Sequence, residues 1–196
     1  MAYDSERTRQ KFLDAARDEF VEHGLAGGRV DRIAARAGAN KQAIYAYFGS
    51  KEGLFDAVID QRLGLLVQAV PITADDLPGY AVSLYDWLCA HPEYSRMNMW
   101  KRLERPDSTA EELEVYRHKL EQIDAATSID HTRYSPINVL LLVTSLAHSW
   151  ANSAPAIRAL DAEADDIAGQ QARHRTALVV AVEAAVAALV GTPAQG

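Results

Sequence analysis

The 196-residue sequence has little of what several classes of protein require. It contains a single cysteine, Cys89, so no disulfide can form within the chain, which suits a reducing cytoplasm. Its opening residues, MAYDSERTRQ, are charged and polar, unlike the apolar segment of a secretory signal. The apolar run ALVVAVEAAVAALV is too short to cross a bilayer and carries Glu183 near its centre. We therefore expect a cytoplasmic protein with no membrane partner.

Signatures of catalysis are also missing from the sequence. It has no Gly-rich phosphate loop, no nucleophile elbow and no HExxH zinc motif. Glu114 and His118 are spaced as metal ligands on a helix sometimes are, but no third ligand is spaced to join them. Cys89 and His91 are two residues apart at a predicted helix end, so they do not face each other. We therefore predict that the protein is not an enzyme and needs neither a metal nor a cofactor.

Charge is distributed unevenly along the chain. The formal net charge is -7, but residues 1–51 contain nine Lys and Arg against seven Asp and Glu, a net of +2. The remaining 145 residues therefore carry -9. A mildly basic N-terminal segment on an acidic body indicates that this segment has an acidic partner of its own.

Alternating apolar and polar residues, which are typical of strands, are also scarce, whereas apolar residues recur throughout at helical spacings of three and four. This pattern predicts an all-α fold of about nine helices. We expect a three-helix head, residues 1–50, joined through the fourth helix to a larger helical body, residues 51–196. The first helix ends at Gly24, and the others are predicted at Val30–Ala37, Lys41–Phe48, 50–70, 77–90, 92–104, 109–127, 135–152 and 171–190.

The stretch VDRIAARAGANKQAIYAYF joins two short helices through a tight turn, which is the arrangement of a helix-turn-helix. Gly38 can adopt the positive φ that ends the first helix, and Asn40 can cap the second. The second helix packs through Ile44 and Phe48. It leaves polar and small side chains exposed that can contact DNA bases or phosphates: Lys41, Gln42, Ala43, Tyr45 and Tyr47. The alternative is an ordinary helical pair with half-buried tyrosines.

Several motifs around this stretch resemble the DNA-binding domain of the tetracycline-repressor (TetR) family of bacterial regulators. They are AAxxxF within FLDAARDEFVEHG, then IAxxAG, YxYF and SKExL, in the family's order and spacing over residues 9–59. The resemblance implies that Tyr45, Tyr47 and Lys51 hold the DNA backbone and that Lys41 and Gln42 lie near base edges. Arg29, which stands in the place of the family's usual Thr or Ser, can still contact a phosphate. The Ala43 methyl can meet a thymine methyl, and the capping residue Asn40 is also predicted to lie at the DNA surface.

The body contains residues suited to a cleft for a mostly apolar small molecule. The segment SLYDWLCAHPEYSRMNMW is rich in aromatics and methionine, and further candidates follow it. The alternative for each of them is a place in the ordinary core. The candidate effector-binding residues are Trp87, Tyr94, Met97, Trp100, Tyr116, His148 and Asn152.

Two predicted helices, PINVLLLVTSLAHSWA and TALVVAVEAAVAALV, are apolar nearly all round and must be covered on more than one side. By resemblance they pair with their copies in a homodimer, although both could be covered within one protomer. These features together predict a ligand-responsive transcriptional regulator, most simply a repressor released from a palindromic operator by a small molecule. The alternatives are an activator of the same fold and a helical interaction module without DNA binding.

Overall fold

The computed structural model describes residues 2–161 and 166–190, and within these ranges the chain forms helices and one isolated bridge, between Ile129 and Val190. The predicted all-α class is confirmed. None of these helices is both long enough and apolar enough to cross a membrane. In chain order the helices are α1 Ala2–Gly27, α2 Val30–Ala37, α3 Lys41–Phe48, α4 Lys51–Ala69, α5 Leu77–Ala90, α6 Pro92–Glu104, α7 Ala110–Ala126, α8 Pro136–Ala147, α9 Ser149–Asn152, α10 Pro155–Ala159 and α11 Ile167–Leu189.

The chain forms two compact units, and two chain segments contribute to each of them. The first unit comprises Met1–Leu65 and Glu93–Glu112, and the second comprises Leu66–Pro92 and Leu113–Gly196. Most of α6 thus belongs with the N-terminal helices, although it follows them by some thirty residues. The domain boundary predicted at residue 50 separates the DNA-binding helices from the rest of the chain, and it is a different division from that of the two compact units. It stays a prediction.

The first unit is built on the apolar face of α1. Phe12, Leu13 and Phe20 are fully buried, and the Phe20 ring meets Phe55 of α4 edge to face at 5.1 Å. Met97 of α6 joins the same core. Helix α1 is interrupted at Gly24, where φ is 68° and ψ is -174°, so the predicted end of its regular part is confirmed.

In the second unit, α5, α8 and α11 pack against one another around Tyr80, Tyr85, Val143 and Val182, which are buried. The helix predicted over 135–152 is divided into α8 and α9 at His148. There the imidazole Nδ1 lies 2.8 Å from the Thr144 carbonyl oxygen. The hydroxyl of Ser149, the first residue of α9, donates to the Leu146 carbonyl at 2.6 Å. Such side-chain bonds compete with the helical backbone pattern.

Two further helix boundaries in the second unit differ from the prediction. Helix α11 begins at Ile167, four residues earlier than expected, because the Asp166 carboxylate accepts a hydrogen bond from the Gly169 N–H at 2.7 Å and caps it. The short α10 was not predicted, although Pro155 stands at its first position, where proline favours a helix start. The described residues therefore contain eleven helices rather than about nine.

Candidate nucleic-acid interface

The turn between α2 and α3 has the geometry expected of a helix-turn-helix. Gly38 adopts a left-handed conformation, with φ 65° and ψ 37°, which a residue with a Cβ rarely adopts. Its N–H donates to the Ala35 carbonyl at 3.2 Å, which closes α2. The Asn40 side chain accepts from the Ala43 N–H at 2.8 Å and caps α3. The capping roles predicted for both residues are confirmed.

A second break separates α3 from α4. Gly49 has φ 75°, again in the region that favours glycine, and its N–H donates to the Tyr45 carbonyl at 2.8 Å. Ser50 then caps α4 by accepting from the Gly53 N–H at 3.0 Å. Helix α4 therefore begins at Lys51, with its N-terminal backbone N–H groups beside the C-terminal end of α3. An anion is favoured at such a helix end.

A buried carboxylate fixes the start of α2. Glu19 of α1 is 1 % exposed and accepts hydrogen bonds from the Arg29 backbone N–H at 2.9 Å and from Arg32 Nε at 2.7 Å. Burial by itself raises the pKa of Glu19, but the bonds from Arg32 and Arg29 outweigh it, and the pKa lies below its ordinary value. Arg29 has extended backbone and its side chain does not cap α2. Its guanidinium is exposed and has only donors, which suits a phosphate and not the N–H groups of α2.

Four of the predicted DNA contacts meet at one place. Arg29, Lys41, Tyr45 and Lys51 line a polar surface concavity of about 480 Å³. Its remaining lining includes the Gly49–Ser50 turn and two acidic residues, Asp31 and Glu52. Three cations, a phenol and a helix N-terminus around one concavity suit a phosphate group.

Two of these cations already have partners within the first unit. The Lys41 ammonium lies 3.1 Å from Asp31 Oδ1, so the side chain is held against α2. Lys51 Nζ approaches the carbonyl oxygens of Ala26 and Gly28 at 3.5 and 3.4 Å. The Lys51 ammonium is therefore positioned without a carboxylate partner among the described side chains, and the Lys41 ammonium must exchange Asp31 for DNA.

The other predicted contact residues lie elsewhere on or beside α3. The Tyr47 ring packs edge to face on Phe12 at 5.4 Å, and its hydroxyl lies 3.2 Å from Ser5 Oγ. Gln42 is exposed. Ala43 is half-buried against the core of the first unit, so only part of its methyl group can meet a base. Contact with DNA by any of the eight residues stays a prediction.

The seven residues predicted to bind an effector are divided between the units. Tyr94 and Met97 are buried in the first unit, and the Trp100 indole there donates to the Val21 carbonyl at 3.3 Å. The other four lie in the second unit. The Trp87 ring lies 4.3 Å from that of His91, the His148 imidazole meets the Thr144 carbonyl, and Tyr116 and Asn152 are exposed.

The second unit contains an apolar cavity of about 340 Å³, and none of the seven lines it. Its walls come from the end of α4, from the segment that follows it and from α7. One lining residue, Lys119, is 6 % exposed. The sequence could have indicated that Lys119 is buried, because Val115, Lys119 and Ile123 are spaced four residues apart and so lie on one face of α7. The lining residues are Val67, Pro71, Ile72, Glu114, Val115, His118, Lys119 and Gln122.

Comparison with known protein families gives two matches that together cover most of the chain. Residues 12–58 match the family described as bacterial regulatory proteins, tetR family. Residues 76–184 match the family described as tetracyclin repressor-like, C-terminal domain. The first match contains the helix-turn-helix, and the second contains most of the second unit.

Individual proteins are similar over comparable lengths. The HTH-type transcriptional repressor SCO4008 of Streptomyces coelicolor is 37% identical over 162 residues, which cover 80% of this chain and 84% of that protein. The crystal structure of SCO4942 from Streptomyces coelicolor has a TM-score of 0.76 at 37% identity, with 90% of this chain and 97% of that one covered. NalD of Pseudomonas aeruginosa, at 21% identity and a TM-score of 0.58, shares the fold.

Proposed function

This chain belongs to the TetR family of bacterial transcriptional regulators, and from that premise we propose that it is a repressor controlled by a small molecule. It binds a palindromic operator as a homodimer and leaves the operator when the small molecule binds its second unit. Two relatives, SCO4008 and NicS from Pseudomonas putida, are both named transcriptional repressors, which supports repression over activation. NicS is 36% identical over 100 residues. The NicS match covers 47% of each chain.

The observation that carries the proposal is the cluster of cations and hydrogen-bond donors at the junction of α3 and α4. Lys51 and the N-terminus of α4 bind one phosphate, with Arg29 and Tyr45 beside them on the same concavity. Tyr47 contacts the backbone farther along α3, and Asn40 acts mainly as the cap that sets the helix angle. Lys41 and Gln42 then reach base edges from the first turn of α3.

The surface of the second unit supports the proposed dimer. Helices α8 and α11 pack together, yet both expose large apolar side chains: Leu141 is 57% exposed and Val180 is 63% exposed. Ile137 and Leu142 extend this apolar face on α8. Pairing it with its copy about a twofold axis covers it and presents two reading helices to two half-sites. Val182 is fully buried within the protomer, so it packs the core and does not form the interface.

Coupling between ligand and DNA requires an element that belongs to both units. Helix α4 is such an element, because it begins at Lys51 beside the candidate phosphate site and its last turn belongs to the second unit. Val67 near that end also lines the apolar cavity. A ligand that prefers one position of α4 shifts the population of dimers whose reading helices fit the operator.

Selection of bound fragments from a random DNA pool tests the proposal. We expect a palindromic sequence with half-sites about one helical turn apart, bound by a dimer. A reporter gene placed behind this sequence should be silenced by the protein. Activation of the reporter would instead support the activator of the same fold. Failure to enrich any sequence would favour a helical interaction module without DNA binding.

A further inference from the structure

Among the residues that the structure describes, the second unit buries a lysine that has no carboxylate partner. Lys119 Nζ donates to the Tyr80 hydroxyl at 2.9 Å and lies 5.3 Å from the centre of the same ring. Within the described ranges, no carboxylate oxygen lies within ion-pair distance of it. An ammonium has three donors, and a phenol oxygen satisfies one of them without neutralising the charge. A buried cation in this state lacks its counterion.

The other lysine buried among the described residues, Lys101, has a carboxylate partner. Lys101 in the first unit is 5% exposed, similar to Lys119. Its ammonium lies 3.2 Å from the Glu112 carboxylate and donates to the Asp107 carbonyl at 2.5 Å. The charge of Lys101 is therefore neutralised within the fold, whereas that of Lys119 is not.

The space beside Lys119 is the apolar cavity. Val67, Ile72 and Val115 supply its walls, and Gln122 lies one turn beyond Lys119 on α7. The Gln122 Oε1 atom is buried and accepts no hydrogen bond from any described residue, while the Gln122 Nε2 atom lies 3.1 Å from His118 Nε2. The cavity therefore has an unneutralised cation and an unused acceptor on one wall and hydrocarbon on the others.

The nearby acidic group does not serve as the missing counterion. Glu114 lines the cavity, but its carboxylate is bound by Arg117 on the same helix, and both side chains are more than half exposed. Tyr80 cannot serve either, because burial raises the pKa of its phenol and keeps it neutral.

We propose that this cavity binds the effector and that the effector is a small organic carboxylate with an apolar body and a hydrogen-bond donor. The carboxylate pairs with the Lys119 ammonium, the body lies against Val67, Ile72 and Val115, and the donor reaches Gln122 Oε1. This inference rests on the proposed function, because it names the class of molecule that the regulator senses. Burial lowers the pKa of Lys119 from 10.5 to about 8, so the group is still mainly charged at neutral pH.

Calorimetric titration of the intact protein without DNA tests the ligand class. The probes are 4-(4-hydroxyphenyl)butyrate, indole-3-acetate and 10-hydroxydecanoate, which each carry an apolar body and an O–H or N–H donor, and each is compared with its uncharged primary amide. We expect at least one acid to bind roughly ten- to a hundredfold more tightly than its amide, the range for a charge-assisted hydrogen bond. Equal affinity of acids and amides overturns the inference, and so does the absence of binding by all three acids at millimolar concentration.

The pH dependence tests the same group without a mutation. From about pH 7 to about pH 9 the charged fraction of Lys119 falls, so acid affinity should fall about tenfold while amide affinity stays constant. Tyr80 remains neutral over this range, and Glu114 and His118 are the other titratable residues on the cavity wall. A constant acid-to-amide ratio across this range contradicts the assignment to Lys119.

Substitution completes the test. Lys119→Met should remove the preference for acids, Lys119→Arg should retain it and make it insensitive to pH, and Lys11→Met on the exposed face of α1 should change nothing. Circular dichroism checks that each variant is helical, and the wild-type titrations decide the question if Lys119→Met does not fold. DNA release is measured separately. Tight acid binding with operator affinity unchanged overturns the effector role, while a failure of acid binding leaves operator binding itself intact.

Discussion

The two compact units differ in whether their buried charges are paired and their apolar faces covered. In the first unit the buried charged groups have partners: Glu19 is bound by Arg32 and the Arg29 N–H, and Lys101 by Glu112. In the second unit Lys119 is buried without a counterion among the described residues, and Leu141 and Val180 leave an apolar face uncovered. The buried charges described in the first unit are thus paired within the fold. The second unit is incomplete in two places.

This difference indicates where partners bind and of what kind. A partner for the first unit must meet exposed cations and donors, which suits the phosphates of DNA. Partners for the second unit must fill what the fold leaves open, namely a cavity with an unpaired cation and an apolar face on α8 and α11. Substitutions at the cavity and at the apolar face should therefore act on ligand response and assembly, and substitutions at paired buried charges should act on folding.

The largest effect is expected from Leu141→Glu. It places two carboxylates in the proposed dimer interface, and an unpaired charge that becomes buried costs several kcal/mol. The protein should sediment as a monomer of about 21.5 kDa at micromolar concentration. Operator affinity should fall by roughly a thousandfold or more, since one half-site is lost for each monomer. All residues predicted to contact DNA are unchanged in this variant.

Leu103→Glu is the matched control, because Leu103 is 69% exposed but lies on α6 in the first unit. That variant should remain a dimer with unchanged operator affinity. A dimeric Leu141→Glu protein would mean that the interface lies elsewhere on the second unit.

Lys101→Met should destabilise the protein. It leaves Glu112, whose side chain is 17% exposed, without its cation, although the Thr109 N–H still donates to the carboxylate at 2.8 Å. We expect the free energy of unfolding in urea to fall by roughly 2–4 kcal/mol. An unchanged urea midpoint would show that the ion pair between Lys101 and Glu112 does not stabilise the first unit.

Lys119→Met should have the opposite effect at neutral pH and stabilise the protein. The folded protein holds the pKa of Lys119 at about 8 against 10.5 in the unfolded chain, so the unfolded chain binds the proton more tightly. Wild-type stability should therefore rise with pH between these values, and at pH 7 the buried charge is a cost. Replacement by methionine should raise the free energy of unfolding by roughly 1–3 kcal/mol and remove that rise. Urea unfolding at several pH values measures both effects, and a destabilised variant would mean that Lys119 is satisfied in the fold.

The parts of the fold that depend on local chemistry could be predicted from the sequence. Gly38, Asn40 and Ser50 act on residues within four positions of themselves, so α2, α3 and the start of α4 follow from the turn and capping preferences of these residues. The break at His148 was missed because it depends on how two side chains orient toward nearby carbonyl groups. Helical periodicity carries no information about that choice.

The features that depend on distant contacts could not be predicted. Lys119 is buried against Tyr80, which is 39 residues away in sequence. When a helix is apolar on all sides, its periodicity does not show which face is buried. The sequence therefore could not distinguish Val182, which is buried, from Val180, which is exposed. At the candidate DNA surface the exposed residues of α3 were predicted from the sequence, but the pairing of Lys41 with Asp31 was not.

The central claim, that the surface around α3 and the start of α4 reads DNA, is tested most directly by the salt dependence of binding. Isotherms are measured for the wild type, Lys51→Ala and Gln42→Ala on the selected operator and on a scrambled duplex. Lys51→Ala should weaken binding to both duplexes and reduce the salt slope by roughly 0.9 per lost phosphate contact, or about two for a dimer. Gln42→Ala should keep the slope and cost roughly 1–3 kcal/mol per half-site on the operator alone. Equal losses on both duplexes for Gln42→Ala, together with an unchanged slope for Lys51→Ala, would contradict the claim.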